Sequence, residues 1–582
     1  MSKADIEVPV LIVGAGPSGL ALSLFLAKQG VAHLAVTKFQ WTANSPRAHI
    51  TNQRTIEIFR DMGIEADMLA ASQSSSFMAN NVWATSLAGQ ELGRLRSWGN
   101  HRDRRDDYAE GSPSPMANLP QHVMEPILLR HAIASGAKVR FSTELIDFEQ
   151  DEHGVTSTLV DRGTGKQFTV RSQYLVGADG GRSLVARKAG LPMSGEMGLA
   201  AAASIWFKAD LAKYTAYRPG VLYWIMQPGN DYWVGSGTLI NVRAWDEWVM
   251  VVMYDPAAGQ LEISPADAVD RIRAIVGDDM IQPDVQSISH WTINHVVADR
   301  YSQGRVFCAG DAVHRHPPAN GLGSNTSIQD SYNLAWKLKL VLDGKASPAL
   351  LETYTQERQP VGRAVVDRAM ASVEAMACIP KALGFRPGQT SEEGWAQVER
   401  LTSDSPDGSA MRAEVAAAFA LQSVQFNAHG MELGQRYRVG AVAADPCPEP
   451  AYDRDPELYY HATTWTGARL PHAWIQRGTD QVSTHDIAGK GRFTVLTGNG
   501  GAAWRAAAEA VGRTLGLEIS VAAIGIGLDY EDPEARWASL REVEEGGCLL
   551  VRPDAHIGWR SIGMSSTPEA DLEAALRGIL RL

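Results

Sequence analysis

A short apolar run, Val8–Val13, ends at Gly14-x-Gly16-x-x-Gly19, and helical apolar spacing follows over Ser18–Gln29, with Leu20, Leu24 and Ala27 on one face. Val31–Thr37 then reads as a second strand. This strand–turn–helix–strand order constrains the fold more than any other feature, because it specifies a β-α-β unit. Gly14 permits the tight turn, Gly16 lets backbone approach a pyrophosphate, and Gly19 lets the helix lie on the strand. Pro17 and Ser18 open the helix, whose free N–H groups and dipole attract phosphate. The glycine spacing alone is common; its place between a strand and a helix makes it a dinucleotide fingerprint. The second strand ends at Thr37 and Lys38, where an acid usually holds a ribose hydroxyl. A threonine hydroxyl can do the same more weakly.

A second segment narrows the ligand. Gly310-Asp311 follows the apolar strand Arg305–Ala309, and Pro317-Pro318 and Gly321-Leu322-Gly323-Ser324-Asn325 lead into a helix marked by Leu334, Leu338 and Val341. Asp311 suits a ribityl hydroxyl, Pro317 and Pro318 stiffen a turn beside a flat ring, and Gly321 and Gly323 leave room for that ring. The helix opening near Asn325 aims its N-terminus at the edge of a flavin that becomes anionic on reduction. Between these segments, Gly177-Ala178-Asp179-Gly180-Gly181 closes the strand Tyr174–Val176, placing Asp179 at the strand end. The three segments together point to FAD.

The rest of the chain reads as further domains. Leu199–Tyr254 is rich in alternating residues (Ile205, Phe207, Leu222, Trp224, Met226, Trp233, Val249, Val251), which predicts an inserted sheet. Leu351–Leu421 is helical and rich in alanine, the proline-rich stretch Asp445–Pro450 is a loop, and the tail alternates strand and helix. The expected order is an FAD-binding domain over 1–190 and 291–370, a substrate-binding sheet domain over 191–290, a helical connector over 371–430 and a small α/β domain over 431–582. Arg94–Pro115, with Arg102, Arg104, Arg105, Asp106 and Asp107 interleaved, reads as a solvated loop. The 54 basic and 66 acidic residues leave a net charge of −12, which argues against a nucleic-acid partner. Cys308, Cys378, Cys447 and Cys548 form no C-x-x-C pair and no zinc spacing, which argues against a disulfide reductase and a bound metal. No window reaches the ~20 apolar residues of a membrane span, so a cytoplasmic protein is expected.

These three motifs, with Trp41-Thr42-Ala43-Asn44-Ser45-Pro46-Arg47-Ala48-His49 and the whole of Gly310–Leu338, resemble the class A flavoprotein aromatic hydroxylases, most closely their phenol hydroxylase group. The resemblance spans nearly the whole chain. The tail, with Val551-Arg552-Pro553-Asp554, is similar to the thioredoxin-like domain of that group, which lacks redox cysteines. The expected fold is therefore α/β: a Rossmann-like FAD-binding domain, an inserted β-sheet substrate domain and a C-terminal thioredoxin-like domain. The resemblance implies a small aromatic substrate, NADH or NADPH as hydride donor, O2 as co-substrate, a C4a-hydroperoxyflavin, and a homodimer or larger homo-oligomer. It places Arg47 and Gln121 against FAD and makes His49 the group that accepts or relays a phenolic proton. Trp98, Trp224, Met226 and Pro317 become candidate substrate contacts, and Arg243 a candidate for nicotinamide handling. In one respect the chain departs from the group. Asn118 stands where the relatives carry an aspartate, and an amide cannot act as a base. Either His49 acts alone, or the ring is already acidic, as a hydroxypyridine is. A tailoring hydroxylase of a larger polyketide or pyridine is the near alternative. A flavin halogenase is disfavoured by the lack of W-x-W-x-I-P, and a non-turnover flavin scaffold or electron carrier is the alternative of a different class.

Overall fold

Val10–Val13 is buried on every side, as a central parallel strand must be. In the computed structural model, which describes residues 4–229 and 236–582, this run belongs to the strand Ile6–Val13. Trp233 lies outside the described residues. Ile6–Val13 pairs in parallel with Gln167–Gly177 on one side and His33–Val36 on the other. Val306–Cys308 and Lys138–Arg140 extend the parallel sheet outward, and the hairpin Thr143–Asp151 with Gly154–Asp161 adds to it antiparallel. The helix Pro17–Lys28 covers this sheet and packs between Gln121–Ala134 and Gly323–Leu342. The ends of three strands meet at one point: Gly14 N–H donates to Val36 O, and Ala178 N–H donates to Val13 O.

A second sheet has the order His314–Arg315, Asp284–Ala298, Met193–Lys208, Glu247–Tyr254, Gly237–Arg243, Gly220–Ile225, Asn80–Ala84, Glu91–Arg96. Its two faces alternate along each strand. Val82, Ala84, Tyr223, Ile225 and Leu239 pack on one side, against the buried residues of the helix Pro265–Val276. Trp83, Leu222, Trp224 and Ile240 form the other side, beneath the helices Cys378–Ala382, Ser391–Thr402 and Pro406–Leu421.

This sheet corrects the expected span of 191–290. It takes in Asn80–Ala84 and Glu91–Arg96 and continues through Ala298 to His314–Arg315. Gly220–Ile225 completes its pairing with the distant Asn80–Ala84, in parallel, a contact that no local pattern announces. The stretch Arg94–Pro115 is a solvated loop only in part. Its first residues end a strand, and Arg105–Gly111 is a helix. Arg104 is buried, pairs with Asp107 one turn away, and lies over the Tyr459 ring at 4.2 Å. Arg104 and Asp107 thus pair and dock, while Arg102, Arg105 and Asp106 stay exposed.

The C-terminal domain has a four-stranded sheet, in the order Ile519–Ala523, Phe493–Thr497, Cys548–Val551, Ile557–Ser561, with Ala502–Leu515 and Pro568–Leu580 packed on it. A sealed ionic cluster joins it to the FAD-binding domain. Arg552 donates to Glu357 and Asp554, while Lys337 and Asn333 also donate to Glu357. Burial opposes the charge on Glu357, yet Arg552 and Lys337 hold its carboxyl down at about 2. Removing one member of such a cluster strands the others. Arg552→Met is expected to lower stability by about 3–5 kcal/mol in urea unfolding. A loss below about 1 kcal/mol would show that the cluster does not bind the domains together.

Candidate active site

The cleft at the carboxyl end of the first sheet is shaped for a dinucleotide. A Cβ on Gly14 (φ +114°) would lie 2.0 Å from Ala178 O, and one on Gly19 would lie 2.0 Å from Gly14 O, so both positions require glycine. Gly16 meets nothing nearer than Glu125 Oε1 at 3.9 Å, which leaves its backbone open to a ligand. Gly16 caps the helix begun by Pro17 without any side-chain hydrogen bond, so its first N–H groups stay available to phosphate. Ser18 instead ties this helix to Ser331, with their hydroxyls 2.9 Å apart. Thr37 is buried and Lys38 exposed at the end of the second strand.

The far wall comes from the Gly310–Asn325 segment. Asp311 is exposed to the cleft and has no hydrogen-bond partner among the described residues. Protein surrounds it closely enough that desolvation raises its carboxyl, against the pull of His314, Arg315 and Arg47. Arg47 is exposed and likewise unpaired. Pro318 is exposed, while Pro317 and Leu322 are buried. Leu322 packs with Val361, Val365 and Tyr437, away from the cleft. A Cβ on Gly321 (φ +66°) would press on Ile50 at 2.8 Å. The helix Gly323–Leu342 has no side-chain cap, so its N-terminus, including Ser324, is free for an anionic edge. Asn325 is fully engaged: it donates to Ile50 O and Gly321 O and accepts from Asn52 N–H. These open amides, the unpaired acid and the unpaired arginine fit FAD.

Several of the expected residues also have partners within the protein. The Asp179 carboxylate accepts from Ser183 Oγ and from the N–H groups of Leu184 and Val185, so it caps a short helix. Gln121 spends its amide N–H on Glu125, at 2.6 Å, and Glu125 also accepts from Ala43 N–H. Trp98 and Met226 are buried in the apolar cluster under the helices, Trp98 edge-on to Phe426. Trp224 is only partly buried and lies parallel to Trp83 with ring centroids 6.1 Å apart. Arg243 grips Asp246 in its own turn, at 2.9 and 3.1 Å.

His49 lies beside Ile50, whose strand pairs with Ala117–Asn118. Its Nδ1 is 3.2 Å from Asn118 Oδ1, and Asn118 Nδ2 donates to Asn241 O at 3.0 Å. A carbonyl oxygen only accepts, so the Asn118 amide must turn its nitrogen to Asn241 and its oxygen to His49. His49 therefore carries its proton on Nδ1. Its Nε2 has no partner among the described residues and is not sealed from solvent. Burial drives the imidazole down to about 4, against the raising effect of the Asn118 bond. The ring is thus neutral near pH ~7, with its Nε2 lone pair free.

The sequence reading missed Glu125, Gln73, Asn241 and Asp330. Glu125 had a signal, standing one helical turn after Gln121. Asp330 had none. It accepts from Gly310 N–H and His314 on one oxygen and from Arg358 on the other, twenty or more residues from two of them.

Comparison with known proteins agrees with this geometry. The family described as FAD binding domain matches residues 7–369, and the family described as Aromatic-ring hydroxylase, C-terminal, matches residues 463–581. The chain belongs to the FAD-dependent aromatic-ring hydroxylases. It is 46% identical over 578 residues to 2,4-dichlorophenol 6-monooxygenase of Cupriavidus pinatubonensis, covering 99% of this chain and 96% of that protein. It is 42% identical over 576 residues to phenol 2-monooxygenase of a Pseudomonas species, covering 98% and 93%. The crystal structure of the flavin-dependent monooxygenase PieE in complex with FAD and substrate superposes with a TM-score of 0.96 at 47% identity, over 100% of both chains. Among the described residues no helix is long and apolar enough to cross a membrane, and no group of side chains could hold a metal ion.

Two measurements test the site. Asp311→Ala removes an unpaired charged acceptor and should raise the Kd for FAD about 10- to 100-fold; an unchanged Kd would remove Asp311 from the binding site. The second concerns pH. The unfolded chain protonates a histidine near pH ~6.5, whereas folded His49 holds off to about 4. The unfolded state therefore binds more protons in that window, and stability falls as the pH drops through it. His49→Gln should reduce the stability lost between about pH 7 and 5 by about 1–2 kcal/mol. An unchanged loss would mean His49 is not held neutral.

Proposed function

We propose that this enzyme hydroxylates a phenolic or hydroxy-heteroaromatic ring, using FAD, a hydride from NADH or NADPH, and O2. The observation that carries the reading is the tautomer of His49, which leaves an unpaired acceptor beside the flavin segment. Bound FAD, once reduced, supplies activated oxygen. The chain's own residues do the rest. Asp311, Arg47 and the two uncapped helix ends hold and orient the cofactor. The apolar cluster that contains Ile50 and Trp224, closed by the helices of residues 378–421, keeps water from the ring. His49 Nε2 accepts the proton of the ring hydroxyl, which enriches the ring for attack. Asn118 takes no proton; it fixes the imidazole. Of the two routes open after the loss of the aspartate, this supports His49 working without a carboxylate. The residue at position 49 is the catalytic base.

The test is oxidation of NADH and NADPH by the FAD-loaded enzyme across phenols and hydroxypyridines, with products weighed by mass spectrometry. Ring-stimulated oxidation with a product one oxygen heavier is expected. His49→Gln should keep its FAD and lose about 10²- to 10⁴-fold in hydroxylation rate. No ring stimulation from any member of the panel would contradict the reading.

A further inference from the structure

The hydrogen bonds behind Asn118 lead to a residue outside the cleft. Gln73 N–H donates to Asn118 O at 3.0 Å, so its main chain holds the strand that carries Asn118. Its side chain reaches the substrate sheet. Nε2 donates to Val242 O at 2.6 Å, and Oε1 accepts from Ala244 N–H at 3.1 Å. Immediately before these anchors comes Asn241, whose carbonyl accepts from Asn118. The ladder of Gly237–Arg243 pairs Asn241 with Trp248 and turns irregular between Asn241 and Arg243, so Gln73 holds the strand where its regular pairing ends. One half-buried glutamine thus fastens the main chain of Asn118 and the strand end whose Asn241 carbonyl accepts from the Asn118 amide.

We propose that Gln73 is a positioning residue: by holding residues 241–244 against Asn118 it orients the Asn118 amide and so selects the His49 tautomer whose Nε2 takes the proton of the ring hydroxyl. This rests on the assignment of His49 as the proton acceptor. Were the amide to turn over, its oxygen would face the Asn241 oxygen and its nitrogen would face His49. The imidazole proton would then move to Nε2, and the ring hydroxyl would meet a donor. A carboxylate at position 118 has no such alternative, since both of its oxygens accept. The proposal therefore makes a claim about pairs of changes. Gln73 matters while residue 118 is an amide and ceases to matter when it is a carboxylate.

The experiment uses FAD-loaded full-length enzyme in four forms: unchanged, Gln73→Met, Asn118→Asp, and both together. Nitrogen NMR of histidine-labelled protein, with the His49 signals identified by their loss in His49→Gln, reads the tautomer directly. Hydroxylation rates read its consequence. Gln73→Met is expected to populate the Nε2–H form and to slow hydroxylation in proportion to the fraction that adopts it, up to about fivefold. In the Asn118→Asp background the same change should leave tautomer and rate unaltered. Gln73→Glu, which keeps the acceptor for Ala244 N–H and gives up the donor to Val242 O, is the second variant should Gln73→Met lose its flavin. It should show the same dependence on residue 118. Equal effects of Gln73→Met in both backgrounds would mean a merely structural role and overturn the proposal, as would an Nδ1–H tautomer that survives the change. If the unchanged enzyme hydroxylates no ring, the catalytic reading fails, and the NMR comparison still decides the role of Gln73.

Discussion

The carboxylate of Asp330 is the constraint on which the cofactor cleft depends. It sits inside the helix Gly323–Leu342 with no exposure and must be satisfied by protein alone. One oxygen holds Gly310 N–H and His314, and the other holds Arg358. Burial opposes its charge, and Arg358 and His314 keep its carboxyl below the ordinary range. The turn that aims Asp311 into the cleft is thus fastened to the helix that presents its N-terminus there. The next residue after Arg358 toward the N-terminus, Glu357, anchors the C-terminal domain through Arg552. Adjacent residues on one helix therefore tie the cofactor turn and the third domain to a common support.

That rigidity matters for the chemistry assigned to the site. A flavin enzyme of this kind gains from exact placement and from exclusion of water rather than from many reacting side chains. The described site carries His49 with an accessible nitrogen, an amide that fixes it, and an apolar wall. An asparagine at position 118, where the resemblance implies an aspartate, looks in the sequence like a missing base. In the structure it is a change in how the imidazole is held. A carboxylate would hold Nδ1–H and also charge the ring. The amide holds Nδ1–H without adding charge, which leaves His49 neutral across the working range of most enzymes.

Much of the fold was legible because its signals are local. Gly14, Gly16 and Gly19 stand in sequence with the strand and helix that they join. The Asp311-to-Asn325 segment likewise lies in one stretch, and the missing C-x-x-C separated the tail from redox relatives of its fold. What escaped the sequence was long-range. Asn80–Ala84 and its hairpin partner Glu91–Arg96 join a sheet whose remaining members begin only at Met193. Arg104 and Asp107 look solvated until Tyr459 arrives from the far end of the chain. Asp179 has the right place for a cofactor contact, but its oxygens are taken by its own turn, a local competition that position alone does not reveal. Trp98 and Met226 lie buried in the cluster that holds Ile50 and Trp224, a grouping of distant residues that no local pattern announces.

The most direct test of the central claim is the source of the oxygen in the product. FAD-loaded enzyme, NADPH or NADH and an accepted phenol or hydroxypyridine are incubated under isotopically labelled O2 in ordinary water. One labelled oxygen atom in the hydroxylated ring, lost together with ring hydroxylation in His49→Gln, is the predicted result. A ring oxygen drawn from water, or label recovered only as hydrogen peroxide while the ring stays unchanged, would contradict the account.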